Sequence, residues 1–189
     1  MSASKLWEIL FYVWFFSEVF IALGLRTRSS AGNVLDRGTQ LMLWSVIFVA
    51  ISTCEWISDT HGRTMFGGAH WLKIAAIAVF ILGLVIRWTA ITSLGKSFSA
   101  NVAIQPTQTI YRGGLYRWVR HPSYLGMLLI FLAIGIYSRN WLGLAIVLIS
   151  TTLALLYRIH VEESALNRAF GDAYASYSKT TRRLIPFIY

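Results

Sequence analysis

Residues 114–126 read GLYRWVRHPSYLG, a polar stretch that leads directly into the uncharged apolar segment 127–137. A second polar stretch, RIHVEE at residues 158–163, follows the next apolar segment. Ionisable groups at the ends of membrane helices are costly to hold there, so they point to a functional site. The first island (114–126) and the second island (158–163) therefore indicate a site at one end of a bundle of membrane helices.

The composition indicates an all-α integral membrane protein with one domain, residues 1–189. Hydrophobic residues make up 56% of the 189 positions and charged residues only 13%, about half the charged share of a soluble domain. No linker rich in proline, glycine, serine or charge divides the chain. The one cysteine, Cys54, rules out an internal disulfide and a cysteine-based metal cluster. The four histidines are scattered, so we expect no metal site.

Five apolar segments are long enough, or nearly so, to cross a hydrocarbon core, which takes about 20 helical residues. The predicted spans are 6–25, 40–58, 71–95, 123–137 and 140–159. Only two residues separate the fourth span from the fifth, which predicts a tight helical hairpin. The remaining segment, 162–189, has an amphipathic pattern that Gly171 interrupts, and it predicts a cytoplasmic helical tail covering the active site.

The basic residues predict the orientation of the spans. Twelve of the 17 lysines and arginines fall in the connections on one side of the predicted bundle, and only four fall on the other. The positive-inside rule then places the N-terminus outside and both islands in the cytoplasm. The net charge of +9 is thus explained by membrane topology, and we expect no nucleic-acid partner. Glu18 and Arg87 lie at similar depths in their spans, where we expect them to form an ion pair.

The first island contains a helix start that can bind an anion. Proline favours the first helical position and disfavours helical geometry in the residue before it. The fourth span is therefore expected to start at Pro122, with His121 just outside the helix. The free N–H groups and the positive dipole end of this helix form an anion site, and Arg117 and Arg120 add positive charge beside it.

In the second island, Arg158 and Glu162 are four residues apart and share one helical face. A cation and an anion so placed can hold a zwitterion, or can hold a carboxylate while binding an amino group. The spacing alone favours an ordinary structural role, with Arg158 anchored at the membrane interface and paired with Glu162.

Together the islands resemble the motifs of the isoprenylcysteine carboxyl methyltransferase family, which includes prokaryotic members. The resemblance covers residues 94–189. It rests on the first island, the apolar hairpin, the second island and the tail pattern that ends in Leu184-Ile185-Pro186-Phe187-Ile188. It implies a membrane-embedded methyltransferase that uses S-adenosylmethionine and releases S-adenosylhomocysteine, with its cofactor in a pocket facing the cytoplasm. The lipophilic substrate would enter from the bilayer, with membrane lipids around it.

The resemblance also assigns residues. It implies that Glu162 contacts the cofactor and that Arg158 holds the substrate. The other implied cofactor-binding residues lie between the third and fourth spans or at the start of the fourth; they are Gln108, Thr109, Ile110, Tyr111, Tyr116, His121, Pro122, Ser123 and Tyr124. The segment 97–105 aligns poorly with the family pattern, which leaves the contacts there open.

The chemistry of methyl transfer adds one helper residue. A sulfonium methyl group is already activated, so the protein must align an acceptor with it and exclude water. A carboxylate is ionised at pH 7 and needs no general base, only a cation to position it. We expect Arg158 to be that cation with Arg120 as its helper, so that Arg158, Arg120 and Glu162 form the predicted catalytic set.

Other functions remain open at this point. A small thiol or a lipid amine as the methyl acceptor would need a base, for which His121 or Glu163 would serve. A non-catalytic membrane protein or small transporter would use the same charges for structure. The compact chain favours a prokaryotic inner membrane, while the physiological acceptor and the oligomeric state do not follow from the residues.

Overall fold

The computed structural model describes residues 2–24, 33–34, 38–98, 103–104 and 109–186. Within these ranges the chain is almost wholly helical. The only strands are a two-residue antiparallel pair, β1 (Asn33–Val34) and β2 (Ala103–Ile104). The helices are α1 (Ala3–Gly24), α2 (Thr39–His61), α3 (Trp71–Leu94), α4 (Pro122–Ser138), α5 (Trp141–Phe170) and α6 (Asp172–Thr180). Short 3₁₀ turns cover Met65–Gly68, Gly95–Ser97 and Gly114–Arg117.

Four helices, α1, α2, α3 and α5, are long and apolar enough to cross a membrane, and the protein is an integral membrane protein. Helix α4 is equally apolar but has only 17 residues, fewer than the ~20 that a full crossing takes. The all-α membrane fold expected from composition is confirmed. The number of spans, five, and their orientation stay predictions.

The first island forms the helix start that the sequence predicts. Helix α4 begins at Pro122, and His121 is its N-cap with non-helical backbone angles. At the other end, Arg139 adopts a left-handed conformation (φ 56°) that ends α4. The Asn140 side chain then accepts hydrogen bonds from Leu142 N (3.0 Å) and Gly143 N (3.2 Å) and starts α5. The predicted tight hairpin between the fourth and fifth spans is thereby confirmed.

Helices α3 and α4 make the most extensive contact among the described elements. Their backbones approach closely at Gly83 and Gly126, where an added Cβ would meet backbone atoms of the other helix at 2.7–2.8 Å. Small residues let membrane helices approach in this way. Below the crossing, Trp14, Phe80 and Phe131 form an edge-to-face aromatic core. This packing sets α4, which carries the first island, rigidly against α3.

Helix α5 is longer than its predicted span, 140–159. It continues without a break to Phe170 and ends where Gly171 takes φ 48°. No proline or glycine interrupts residues 158–170, so nothing stops the helix after it leaves the apolar segment. The second island therefore lies within α5, about two to three turns before the helix ends. The interruption expected at Gly171 is confirmed, since α6 follows as a separate short helix.

The segment after α6 folds back onto the first island. Arg182 N donates to Trp118 O (3.0 Å), Arg120 N donates to Arg182 O (2.8 Å), and His121 N donates to Arg183 O (3.1 Å). We name residues 178–184 the C-terminal clasp. It fastens the end of the chain to the residues that precede α4.

Candidate active site

A cavity with an open space of about 1250 Å³ lies where α1, α2, α3, α4 and α5 meet the loop 109–121 and α6. One part is apolar and is lined by side chains from α1, α2 and α4, among them Ile21, Leu43 and Met127. The other part is lined by tyrosines and charged groups of the two islands. The islands, 32 or more residues apart in sequence, thus share one cavity.

Arg158 and Glu162 are joined through the hydroxyl group of Tyr124. This hydroxyl accepts a hydrogen bond from Arg158 Nε at 3.0 Å and donates one to Glu162 Oε2 at 2.7 Å. On its other side, Arg158 Nη1 donates to Thr39 Oγ1 at 3.1 Å. Arg158 is buried, whereas about a third of the Glu162 side chain is exposed. The guanidinium is therefore held by α2 and α4 together, and the carboxylate of Glu162 stays accessible at the cavity.

His121 lies between the two glutamates of the second island. Its Nε2 is 3.3 Å from Glu163 Oε1, and its Nδ1 is 4.0 Å from Glu162 Oε2. The ring also stacks on that of Tyr124, with centroids 5.6 Å apart. Burial and these contacts set the position of the residue that caps α4.

Arg120 serves structure as well as the cavity that it lines. Its Nε donates to Glu163 Oε1 (2.8 Å), and its Nη1 donates to the carbonyl oxygens of Ser178 (2.9 Å) and Thr181 (2.7 Å). Glu163 in turn pairs with Arg183, whose Nε lies 2.9 Å from Glu163 Oε2. Glu163 thus ties the first island to the clasp. These contacts favour a positioning role for Arg120 over the helper role expected from the sequence.

The ion pair expected between Glu18 and Arg87 is confirmed. The two side chains meet in a two-pronged contact, and Arg87 Nη2 donates to Glu18 Oε2 at 2.6 Å. Arg87 Nη1 also donates to Ser123 Oγ at 2.7 Å. All three residues are buried and line the cavity. This network joins α1, α3 and α4 and adds a second guanidinium to the cavity wall.

Tyrosines form the wall near the loop and α6. Tyr177 donates its hydroxyl to Tyr116 O (2.6 Å), and Tyr116 donates its own to Ala90 O (3.2 Å). Burial raises the pKa of Tyr177 to about 12 and also raises the pKa of Tyr116, so both stay protonated donors at neutral pH. Tyr174 is buried in the same wall, but its hydroxyl has no hydrogen-bond partner among the described residues.

The structure brings most of the predicted site residues together. Those that line the cavity are Thr109, Ile110, Tyr111, Tyr116, Arg120, His121, Ser123, Tyr124, Arg158 and Glu162. Pro122 is buried at the start of α4 and contributes helix geometry. Gln108, predicted to contact the cofactor, lies outside the described residues.

Sequence reasoning did not place three other residues at the site. Glu18 and Arg87 were expected to pair, and their charge inside apolar segments was a signal that they could belong to a site. Thr39 gave no signal, because a threonine beside an apolar segment is unremarkable and its partner Arg158 is 119 residues away.

Comparison with known proteins gives consistent similarities. The model of the isoprenylcysteine carboxyl methyltransferase (ICMT) family matches residues 76–168. The protein-S-isoprenylcysteine O-methyltransferase of Tribolium castaneum is 34% identical over 139 residues, which are 72% of this chain and 50% of that protein. Protein-S-isoprenylcysteine O-methyltransferase A of Arabidopsis thaliana is 26% identical over 99% of this chain and 95% of its own length.

A solved structure of a eukaryotic intramembrane Ras methyltransferase, ICMT, has the same fold. It superimposes with a TM-score of 0.65 at 29% identity, covering 77% of this chain and 52% of that one. The chain spans about half the length of this protein and of the Tribolium and Xenopus laevis relatives that it matches. The region that the family model matches, residues 76–168, includes most of α3, all of α4 and most of α5, and hence both islands.

Proposed function

Because the chain belongs to the isoprenylcysteine carboxyl methyltransferase family, we propose that it is a membrane methyltransferase dependent on S-adenosylmethionine. Its acceptor is the carboxylate of a lipophilic, isoprenylcysteine-like molecule. The observation that carries this proposal is that apolar side chains of α1, α2 and α4 and the charged groups and tyrosines of the two islands line one cavity, with Arg158 bonded to Tyr124 of α4 and to Thr39 of α2.

The polar part fits the cofactor. A sulfonium compound that carries an amino acid and an adenosine group offers positive charge, hydrogen-bonding groups and an aromatic ring. Glu162 supplies an accessible carboxylate, Tyr111 supplies a partly exposed aromatic ring, and Tyr174 supplies a buried hydroxyl with no partner among the described residues. The residues that would hold the cofactor are Glu162, Tyr124, Tyr116, Ser123 and the segment 108–111. When bound, S-adenosylmethionine supplies an activated methyl group.

The residues of this chain would hold and orient the acceptor. A carboxylate is ionised at pH 7, so the chain needs a cation to align it and walls to exclude water. The Arg158 guanidinium, held between Thr39 and Tyr124, supplies this cation. Apolar side chains of α1, α2 and α4 would take the lipid chain. No proton has to be removed from the acceptor.

An amine or thiol acceptor is a poorer match to the same geometry, because it requires a base. His121 and Glu163 are the groups that could serve. They are bound to each other, and Glu163 is also bound to Arg120. An ion-paired carboxylate binds a proton weakly. This arrangement favours a carboxylate acceptor.

The proposed setting is a cavity that opens to the cytoplasm at its polar part and to the bilayer at its apolar part. The charge bias of the connections supports this orientation. Cytosolic S-adenosylmethionine would then reach the polar part, while the lipophilic substrate reaches the apolar part from the membrane. A location in a prokaryotic inner membrane stays a prediction from the sequence.

Methyl transfer to a defined acceptor tests the proposal. Purified protein in lipid nanodiscs is given labelled S-adenosylmethionine and N-acetyl-S-farnesylcysteine, and the labelled methyl ester is measured after extraction. The matched control is the amide of the same compound, which keeps the lipid chain but lacks the carboxylate. We expect ester from the acid and no product from the amide. Absence of ester from the acid with wild-type protein contradicts the proposed acceptor.

A further inference from the structure

Tyr174 carries a buried polar group with no partner in the described part of the structure. The residue is 2% exposed, and its hydroxyl oxygen has no hydrogen-bond partner among the described residues. Leaving a buried hydroxyl unpaired is unfavourable, because the group gives up its hydrogen bonds to water and gains none in return. Such groups are rare enough in folded proteins that each calls for an explanation.

A small shift of α6 would not give the Tyr174 hydroxyl a partner, because three hydrogen bonds hold this helix in place. Arg112 Nη2 donates to Ala173 O at 3.1 Å, Tyr177 Oη donates to Tyr116 O at 2.6 Å, and Arg120 Nη1 donates to Ser178 O at 2.9 Å. The first bond lies in the first turn of α6, and the other two lie in its second half. The place of Tyr174 in the wall is therefore set by its neighbours.

The open space beside Tyr174 is the cavity itself, which its side chain lines together with Glu162 and Tyr116. Glu162 and Tyr116 are polar residues of the two islands. A polar molecule bound here would meet a hydroxyl group that is ready to donate or accept. Burial raises the pKa of Tyr174, so the hydroxyl keeps its proton at neutral pH.

We infer that Tyr174 is a cofactor-binding residue whose hydroxyl forms a hydrogen bond to bound S-adenosylmethionine. This inference rests on the proposed function and extends it, since Tyr174 lies beyond residues 76–168, which the family model matches. The cofactor would then contact α6 as well as the two islands. Binding would satisfy a hydroxyl that has no partner among the described residues, so α6 would be more stable in the complex.

The test is the Tyr174→Phe variant, which removes one oxygen atom and keeps the ring. Two quantities are measured on the full-length protein in nanodiscs: the affinity for S-adenosylhomocysteine by calorimetry, and the melting temperature without ligand. We expect the dissociation constant to rise about tenfold, as for loss of a hydrogen bond to a ligand. The melting temperature without ligand should stay the same or rise, because the variant loses no bond in that state.

Two control variants separate binding from structure. Tyr177→Phe loses the bond to Tyr116 O and should lower the melting temperature without ligand. Tyr157→Phe changes an exposed ring on α5 and should alter neither quantity.

Three results would contradict the inference or the function on which it rests. Unchanged affinity in Tyr174→Phe contradicts the inference and indicates a hydroxyl satisfied by water. A fall in both affinity and ligand-free melting temperature also contradicts it, because the hydroxyl then serves the fold. Wild-type protein that binds no S-adenosylhomocysteine contradicts the proposed function itself, and the inference falls with it.

Discussion

Arg158 and Thr39 are joined by a hydrogen bond of 3.1 Å, from Arg158 Nη1 to Thr39 Oγ1, across 119 positions of sequence. Thr39 is the first residue of α2 and is 2% exposed. The bond means that a residue outside the region matched by the family model, residues 76–168, helps to orient the arginine that we assign to the acceptor.

Replacing Thr39 by Val keeps the shape and removes the hydroxyl. Arg158 then loses one of the contacts that orient it, and we expect the Michaelis constant for the prenylcysteine acceptor to rise about tenfold, as for a lost charged hydrogen bond. Affinity for S-adenosylhomocysteine should stay unchanged. Thr39→Ser keeps the hydroxyl and should restore most of the activity; equal defects in Val and Ser variants would show that the methyl group, and hence packing, matters.

Replacing Arg158 by Lys tests the geometry of the guanidinium. Lysine keeps the charge but cannot donate to Thr39 and Tyr124 in the fixed planar arrangement of arginine. We expect kcat/KM for the acceptor to fall at least about tenfold, and the Ala variant to lose about a hundredfold, the range of charged hydrogen bonds. If the Arg158→Ala variant kept the activity of the wild-type protein, the assignment of Arg158 to the acceptor site would be wrong.

Breaking the pair of Glu18 and Arg87 should destabilise the fold. Glu18→Gln leaves the Arg87 guanidinium buried without its carboxylate partner, which costs about 3–5 kcal/mol in comparable buried pairs. SDS-induced unfolding in mixed micelles measures the loss. The control is Glu8→Gln, which changes an exposed carboxylate on the same helix. Equal stability of the two variants would mean that the pair contributes nothing net.

Glu163 should hold the clasp against the first island. Glu163→Gln removes the negative charge shared by Arg120 and Arg183. The backbone amides that join the clasp to the first island, those of Arg120, His121 and Arg182, should then exchange with deuterium about tenfold faster. This is the change expected when about one charged contact is weakened. Hydrogen exchange with mass spectrometry measures this. Asp172→Asn, at an exposed carboxylate of α6, is the control, and unchanged exchange in Glu163→Gln would contradict the account.

Much of this architecture follows from local sequence features. Pro122 sets the start of α4, Arg139 and Asn140 make the turn of the hairpin, and Gly171 separates α5 from α6. Each acts within a few residues, so a pattern in the sequence suffices to find it. The charge pattern likewise indicates that Glu18 and Arg87 pair, because two opposite charges in lipid need each other.

The structural features that the sequence does not predict depend on long-range packing. The bond between Thr39 and Arg158 exists because α2 packs on α5. The sequence around Thr39 contains no pattern that predicts this bond. The sequence predicts a membrane span of 140–159, because polarity marks where a helix leaves the membrane, whereas the helix itself continues to Phe170 and ends only at Gly171. The structural role of Arg120 depends on its contacts with the clasp. The clasp packs on the first island through tertiary contacts, which a local sequence pattern does not predict.

The most direct test of the central claim is calorimetry of S-adenosylhomocysteine binding to the wild-type protein and to Glu162→Ala, with Glu8→Ala as the control. Glu162 presents a partly exposed carboxylate to the cavity and is bonded to Tyr124. The account predicts binding by wild type and by Glu8→Ala, and at least about tenfold weaker binding by Glu162→Ala. Equal binding by all three proteins would contradict the placement of the cofactor, and no binding by wild type would contradict the methyltransferase assignment.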